Sequence, residues 1–201
     1  TAEMPGTYSK GKFDIAGFSV GVVGKNKILD KSKIKINDLI LAIPSSGLHS
    51  NGYSLIRYLL KKKKINFKKN NFLKKELIKP TKIYVKEILN LIDNRLINGC
   101  ANITGGGIKD NILRILPDNM SAQINLNKIE PHNIFKWLHL QGVNDDEMLK
   151  TFNCGVGFCI IIKSNNLKKI KKYFTKNFQP YVIGKITKGK KNIGLNGKIS
   201  W

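Results

Sequence analysis

Arginine, cysteine and long apolar runs are what this chain has least of. Three arginines stand against 33 lysines in 201 residues. Arginine is the side chain that forks onto phosphates and base edges, so its scarcity argues against a basic nucleic-acid-binding module even at a formal net charge of +23. The lysines are scattered over helix faces without interleaved aromatics on which bases would stack. They travel with 22 asparagines and 28 isoleucines. All three residue types share A/T-rich codons, so the basic balance reads as a nucleotide bias. The three cysteines, Cys100, Cys154 and Cys159, form no CxxC pair. That excludes a disulfide framework or a cysteine metal site and suits reduced, mostly buried thiols in a cytoplasmic protein. No apolar run approaches the roughly 20 residues that span a bilayer, so no membrane partner is expected. The opening Thr1-Ala2-Glu3-Met4-Pro5-Gly6 has no initiator methionine, basic region or hydrophobic leader. No signal peptide is therefore expected, and the chain reads as starting in mid-protein.

What is present centres on Ser45-Ser46-Gly47-Leu48-His49-Ser50-Asn51-Gly52-Tyr53-Ser54-Leu55. Leu39 to Ile43 before it reads as a buried strand, and Leu55, Ile56, Leu59 and Leu60 after it recur at helical spacing. A loop so placed offers free backbone N–H groups and the positive end of a helix dipole to an anion. Gly47 and Gly52 allow close backbone approach. Ser50 and Asn51 suit capping the helix or donating to phosphate oxygens. His49 titrates in the neutral range when unperturbed, and no hydrophobic periodicity around it predicts burial.

The remaining pattern alternates strands and helices, which predicts an α+β fold with a mixed β-sheet covered by helices. Strands are expected over Phe13 to Val23, Cys100 to Thr104, Met120 to Leu126, Phe158 to Ile162 and Tyr181 to Ile186, with a closing hairpin. Thr81 is a candidate cap for a helix whose face carries Tyr84, Ile88, Leu91 and Ile92. Cys100 to Thr104 runs into Gly105-Gly106-Gly107 and a helix, repeating the strand–glycine–helix unit with the same phosphate-binding physics. Leu167, Ile170, Tyr173 and Phe174 mark a further amphipathic helix. Asp145, Asp146 and Glu147 suit the first turn of a helix better than a metal. His132 and His139 read as surface or half-buried histidines.

Five strings carry a resemblance: TAEMPG from Thr1, SSGLHSNGYSL from Ser45, PTKIYVK from Pro80, TGGGIKDNILRILPD from Thr104 and EMLKTFNCGVG from Glu147. Together they resemble phosphoribosylformylglycinamidine cyclo-ligase, also called AIR synthetase, unbroken from Thr1 to about Lys188. Selenophosphate synthetase and thiamine monophosphate kinase share that architecture without these strings. Lys82 stands where the family's motif has arginine, keeping the charge but not the fork. The resemblance implies that residues 1–27 are the end of a truncated N-terminal ATP-binding domain, contributing its last strand, and that 28–201 form the C-terminal domain.

The resemblance also implies ATP-dependent closure of formylglycinamidine ribonucleotide (FGAM) to aminoimidazole ribonucleotide in purine biosynthesis, releasing ADP and phosphate. It makes His49 the active-site histidine, for proton transfer or for stabilising a phosphorylated intermediate. It makes Ser46, Gly47, Ser50, Asn51, Gly52, Thr104, Gly105, Gly106, Gly107 and Asn153 nucleotide or substrate contacts. Glu3 becomes a nucleotide- or magnesium-side carboxylate, with ATP and Mg2+ as cofactors and a homodimer as the full-length state. Without most of the ATP-binding domain the piece by itself is expected to be inactive, whether fragment, split gene or decaying gene.

Overall fold

Along Leu39–Pro44 (β1) successive side chains turn to opposite sides: Ile40 and Ala42 enter one hydrophobic core, Leu41 and Ile43 another. A strand buried on both faces needs partners on both edges, and β1 has them. In the computed structural model, which describes residues 17–201, six strands form one sheet. They are β1, Gly99–Asn102 (β2), Met120–Asn125 (β3), Val156–Ile162 (β4), Tyr181–Lys188 (β5) and Asn192–Asn196 (β6). The order is β2-β4-β1-β5-β3-β6, and every neighbouring pair is antiparallel except β3 with β6.

Among the described residues seven α-helices cover the sheet: Tyr53–Lys62 (α1), Asn71–Leu77 (α2), Val85–Asp93 (α3), Gly107–Ile115 (α4), Asn133–Leu140 (α5), Asp145–Thr151 (α6) and Leu167–Ile170 (α7). Five pack on the face of Ile40 and Ala42, through Ile56 and Leu59 of α1, Leu73 of α2, Ile108 and Ile112 of α4, Phe135 of α5 and Met148 of α6. Ile88 and Leu91 of α3 and Ile170 of α7 close the other face. Two partners of β1 and β2 decide where the loops go. Pro44, the last residue of β1, lies opposite Val156, the first of β4, and Asn102, the last of β2, lies opposite Phe158. The connections that follow β1 and β2 and the one that precedes β4 therefore meet at one end of the sheet.

Four local expectations differ from what is found. The strand expected over Phe13 to Val23 is absent from its described part: residues 17–24 form no helix or strand, and Phe18, Val20 and Val22 find no partner and stay exposed. Helix α3 begins at Val85, and its N-cap position is Tyr84, not Thr81. The helix expected over Leu167 to Phe174 is one α-turn followed by a 3-10 turn at Lys171–Tyr173. The chain's end is not a hairpin. Lys191 N–H bonds the Asp118 carbonyl at 3.0 Å, which carries the chain past β5 and lays β6 parallel to β3.

Candidate active site

The loop from Ser45 to Gly52 is built by residues far away in the chain. Ser45 N–H donates to the Gly155 carbonyl at 2.8 Å, and His132 Nε2 lies 2.8 Å from the Ser45 carbonyl. Asn153, 1% exposed, gives its amide N–H to the Gly47 carbonyl at 2.8 Å and accepts from Gly155 N–H at 2.9 Å. Its polar atoms hold the loop instead of facing outward. Gly52 has φ +74, and a Cβ there would enter the Phe152 ring. The SSGLHSNG and TFNCG strings are thus two halves of one assembly. Neither Ser50 nor Asn51 caps α1: the cap position is Gly52, with no side-chain bond. Asn51 instead donates to the His49 carbonyl at 2.9 Å, steadying a turn in which His49 and Ser50 both take positive φ, 52° and 60°. Two adjacent non-glycine residues in this region store backbone strain of the kind that gathers at functional loops.

His49 is buried, at 7% exposure, contrary to the absence of local periodicity around it. The cover comes from elsewhere. The Tyr84 ring stands 6.0 Å away between centroids, its hydroxyl bonding the Pro44 carbonyl at 2.7 Å. On β4, a Cβ at Gly157 would collide with the Tyr84 hydroxyl and come within 2.6 Å of His49 Cε1. His49 Nε2 accepts from Ser46 N–H at 2.9 Å, with Ser46 Oγ at 3.0 Å and Lys82 N–H at 3.5 Å. Burial, with His132 adding in the same direction, lowers its pKa to about 4. The Ser46 hydroxyl donates to the Pro80 carbonyl at 2.7 Å. Lys82 crosses the site's edge with its ammonium 2.9 Å from Glu87 and 4.4 Å from the Phe178 ring centre. Next to it a cleft of about 330 Å³ is lined by Lys82, Ile83, Tyr84, Asn102 and Phe158 among others.

At the second glycine loop the amides are largely spoken for. Gly106 N–H donates to the Lys150 carbonyl and Gly107 N–H to the Thr104 carbonyl, both at 3.0 Å. Gly107, at φ +62, abuts the Leu149 carbonyl, and the Asp110 carboxylate sits 2.7 Å from where a Gly106 Cβ would be. Asn111, 5% exposed, donates to the Gly107 carbonyl at 2.7 Å and accepts from the Thr104 hydroxyl at 3.3 Å. The loop is therefore docked on the C-terminal end of α6, with Asp110 already facing the dipole of α4. Gly105 alone has open space around its α-carbon.

Of the residues expected from sequence, Ser46, Gly47, His49, Asn51, Gly52 and Asn153 share one assembly, while Thr104 to Gly107 form a neighbouring one. Glu3 lies outside the described residues. Sequence reasoning missed Tyr84, His132, Gly157 and Asn111. Tyr84 sat in PTKIYVK and Asn111 in TGGGIKDNI, so the strings flagged the segments but not the contacts. Nothing local singled out His132. Burial pushes the Cys154 and Cys159 thiols upward, as buried reduced thiols should behave, while Cys100 is half-buried. Among the described residues no helix is long and apolar enough to cross a membrane.

Comparison with known proteins adds an independent line. Residues 35–195 match the family described as AIR synthase related protein, C-terminal domain. The chain is 46% identical over 204 aligned positions to the phosphoribosylformylglycinamidine cyclo-ligase of Carboxydothermus hydrogenoformans, covering 98% of this chain and 59% of that protein. It is 41% identical to the protein of the same name from Clostridium tetani, covering 96% and 58%. The chain thus spans under three-fifths of the length of these relatives. Among solved structures, thiamine-monophosphate kinase from Stenotrophomonas maltophilia aligns over 89% of this chain and 56% of its own, with a TM-score of 0.58 at 16% identity. That likeness concerns the fold.

Proposed function

The chain belongs to the AIR synthase related protein family through that family's C-terminal domain, and on this basis we propose that it is the C-terminal part of a phosphoribosylformylglycinamidine cyclo-ligase. The observation that carries the reading is the joining of SSGLHSNG to TFNCG by Asn153, which puts both strings and His49 at one end of the sheet. In the complete enzyme, a homodimer in the cytoplasm, ATP phosphorylates the formyl oxygen of FGAM, and an amidine nitrogen attacks the same carbon. The carbon–oxygen bond breaks, phosphate leaves and the imidazole ring closes. Such chemistry asks the protein for positioning and for stabilising charge on oxygen more than for covalent work.

This chain's share is the substrate side. The strained turn at His49 and Ser50, the exposed Ser50 and the open backbone at Gly105 receive phosphate oxygens, and the cleft beside Tyr84 receives the planar part of the substrate. Among the described residues no group of three or more His, Cys, Asp or Glu side chains is placed to hold a metal ion.

Titrating FGAM and duplex DNA separately into the chain at about 150 mM salt tests the reading, because non-specific phosphate contacts weaken steeply with salt. Saturable FGAM binding with weak DNA binding is expected. Tight, sequence-selective DNA binding without FGAM binding would replace the enzyme reading by a nucleic-acid-binding one.

A further inference from the structure

We propose that a cleft at the opposite end of the sheet from loop 45–52 binds a phosphorylated small molecule of mononucleotide size. This is independent of the cyclo-ligase reading. Leu39 pairs with Ile162 and Gly99 with Ile161, so β1 and β2 start where β4 stops. β4 begins at Val156 beside the signature loops, and its seven residues put about 20 Å between the two ends. Three segments meet at the far end: the turns at Lys25–Lys27 and Lys31–Lys33 ahead of β1, the turn from α3 into β2, and Lys163 after β4. Together they line a cleft of about 480 Å³, a volume within the range of small-molecule sites. Two cross-links hold its walls. Asp38, 4% exposed, accepts from Lys35 N–H at 2.9 Å and from the Asn98 side-chain amide at 2.8 Å, which ties the segment before β1 to the one before β2. The Asn166 side-chain amide donates to the Leu96 carbonyl at 3.0 Å, which ties the chain after β4 to the turn after α3.

The lining is cationic over an apolar floor. Lys27, Lys33, Arg95 and Lys163 bring four positive charges against one carboxylate, Asp93. Asp93 lies 3.5 Å from Lys27. Lys33 gives an ammonium N–H to the Ile28 carbonyl at 3.2 Å, which solvates the charge without cancelling it. Arg95 and Lys163 form no ion pair among the described residues. Leu29, Ile92 and Ile97 supply the apolar part, and Ile97 is 3% exposed. Cations beside an apolar wall suit a ligand with an anion at one end and a flat, weakly polar body at the other. Lysines that merely coat a surface give the first half of that arrangement without the second.

Arg95 is the residue that singles this cleft out. It is one of only three arginines in the chain. It takes φ +54 just after α3, where its N–H bonds the Ile92 carbonyl and Leu96 N–H bonds the Leu91 carbonyl, both at 2.9 Å. Glycine closes a helix in this way at least cost. An arginine there keeps the strained backbone and brings to the cleft a forked donor, which matches phosphate oxygens better than an ammonium does.

Titrating AMP into the nitrogen-15-labelled chain at about 150 mM salt tests the site, because diffuse attraction to a basic surface fades with salt. Saturable shifts of the backbone amides of residues 26–33, 92–98 and 163 are expected. Inorganic phosphate should move the same amides but bind about tenfold more weakly, for want of the apolar contact. Arg95→Gly relaxes the turn, so it should melt no lower than the unaltered chain while weakening AMP about tenfold, as for losing one charge-assisted phosphate contact. Lys163→Gln, a second variant of the lining, should weaken AMP in the same sense. Lys75→Ala removes one exposed charge from α2, whose end leads to Lys79 against Gly47, and should leave AMP affinity within about twofold. Equal losses in Lys75→Ala and Arg95→Gly would reduce the effect to the overall field of the chain and overturn the site. Shifts that never saturate, shifts centred on loop 45–52, or phosphate bound as tightly as AMP would overturn it too. A short DNA duplex that engages the cleft amides more tightly than AMP at the same salt would replace the small molecule by a nucleic-acid partner.

Discussion

A methyl group at Gly157 would run into the Tyr84 hydroxyl and sit 2.6 Å from His49 Cε1. Glycine is needed there because two rings already occupy the space above β4. Gly157→Ala forces the rings or the strand to move, so a loss of about 1–3 kcal/mol in stability is expected from overpacking, read by chemical denaturation. Because the displaced ring is His49, kcat of the complete enzyme should fall more than KM rises. His49 also ties stability to pH. Burial lowers its pKa in the folded chain from the ordinary 6.5 to about 4. Between these values the unfolded chain binds the proton and the folded chain does not, so stability is full above about 6.5 and drains away as pH falls towards 4. After allowance for solvent screening the effect is about 1–2 kcal/mol. Urea unfolding at pH 7 and pH 5 should show it, and His49→Asn should flatten that part of the dependence. Burial at 7% also means that His49→Ala, besides its effect on turnover, leaves the Ser46 amide without its acceptor and lowers stability.

The second glycine loop is best understood as a joint between α4 and α6. Gly106 N–H bonds the Lys150 carbonyl at 3.0 Å, and Gly107 lies against the Leu149 carbonyl, so the start of one helix closes the end of the other. A carbonyl is main chain and does not swing aside as a side chain would. Gly107→Ala, at φ +62 and against that carbonyl, is expected to cost about 2 kcal/mol or more. Gly105→Ala meets nothing within 4 Å and takes an ordinary φ, so it should change stability by less than about 0.5 kcal/mol. Thermal melts of the two variants separate the packing glycine from the open one. If Gly105 receives a phosphate oxygen, its alanine variant should weaken FGAM binding in a protein that melts normally. Equal FGAM affinity would remove the loop from the substrate site.

The whole chain carries a net charge of +23, with lysines exposed along α1, α2 and the turn between them. Like charges at that density repel one another, and salt screens them over about 8–10 Å. Raising ionic strength should therefore raise the melting temperature, whereas a fold held by surface ion pairs would lose stability. The field also draws anionic nucleotides towards the site, so association with FGAM should slow as salt is added. Since the chain spans 59% of its relative from Carboxydothermus hydrogenoformans, turnover is expected only when the rest of such an enzyme is supplied. Assaying aminoimidazole ribonucleotide formation with and without that part checks it, and full activity from the chain alone would contradict this division of labour.

Sequence alone determined whatever is decided within a dozen residues. Periodicity placed β1 and α1, the glycine triplet led into α4, and the motif strings pointed to the family and to His49. It went astray at Phe18 to Val23, which pair with no strand among the described residues, at the start of α3, and at the closing strand, which pairs with β3 and not with β5. Only the tertiary structure decided what His49 is. The partners of its Nε2 come from Ser46 in its own loop and from Lys82 thirty-three residues on, its burial from Tyr84 and Gly157, and its loop is held by Asn153 and His132. Those residues are brought together by the register of β1 against β4, which no single segment encodes. A hydrogen bond or a ring contact across a hundred residues depends on where the strands stop, and that is settled by packing both faces of one sheet.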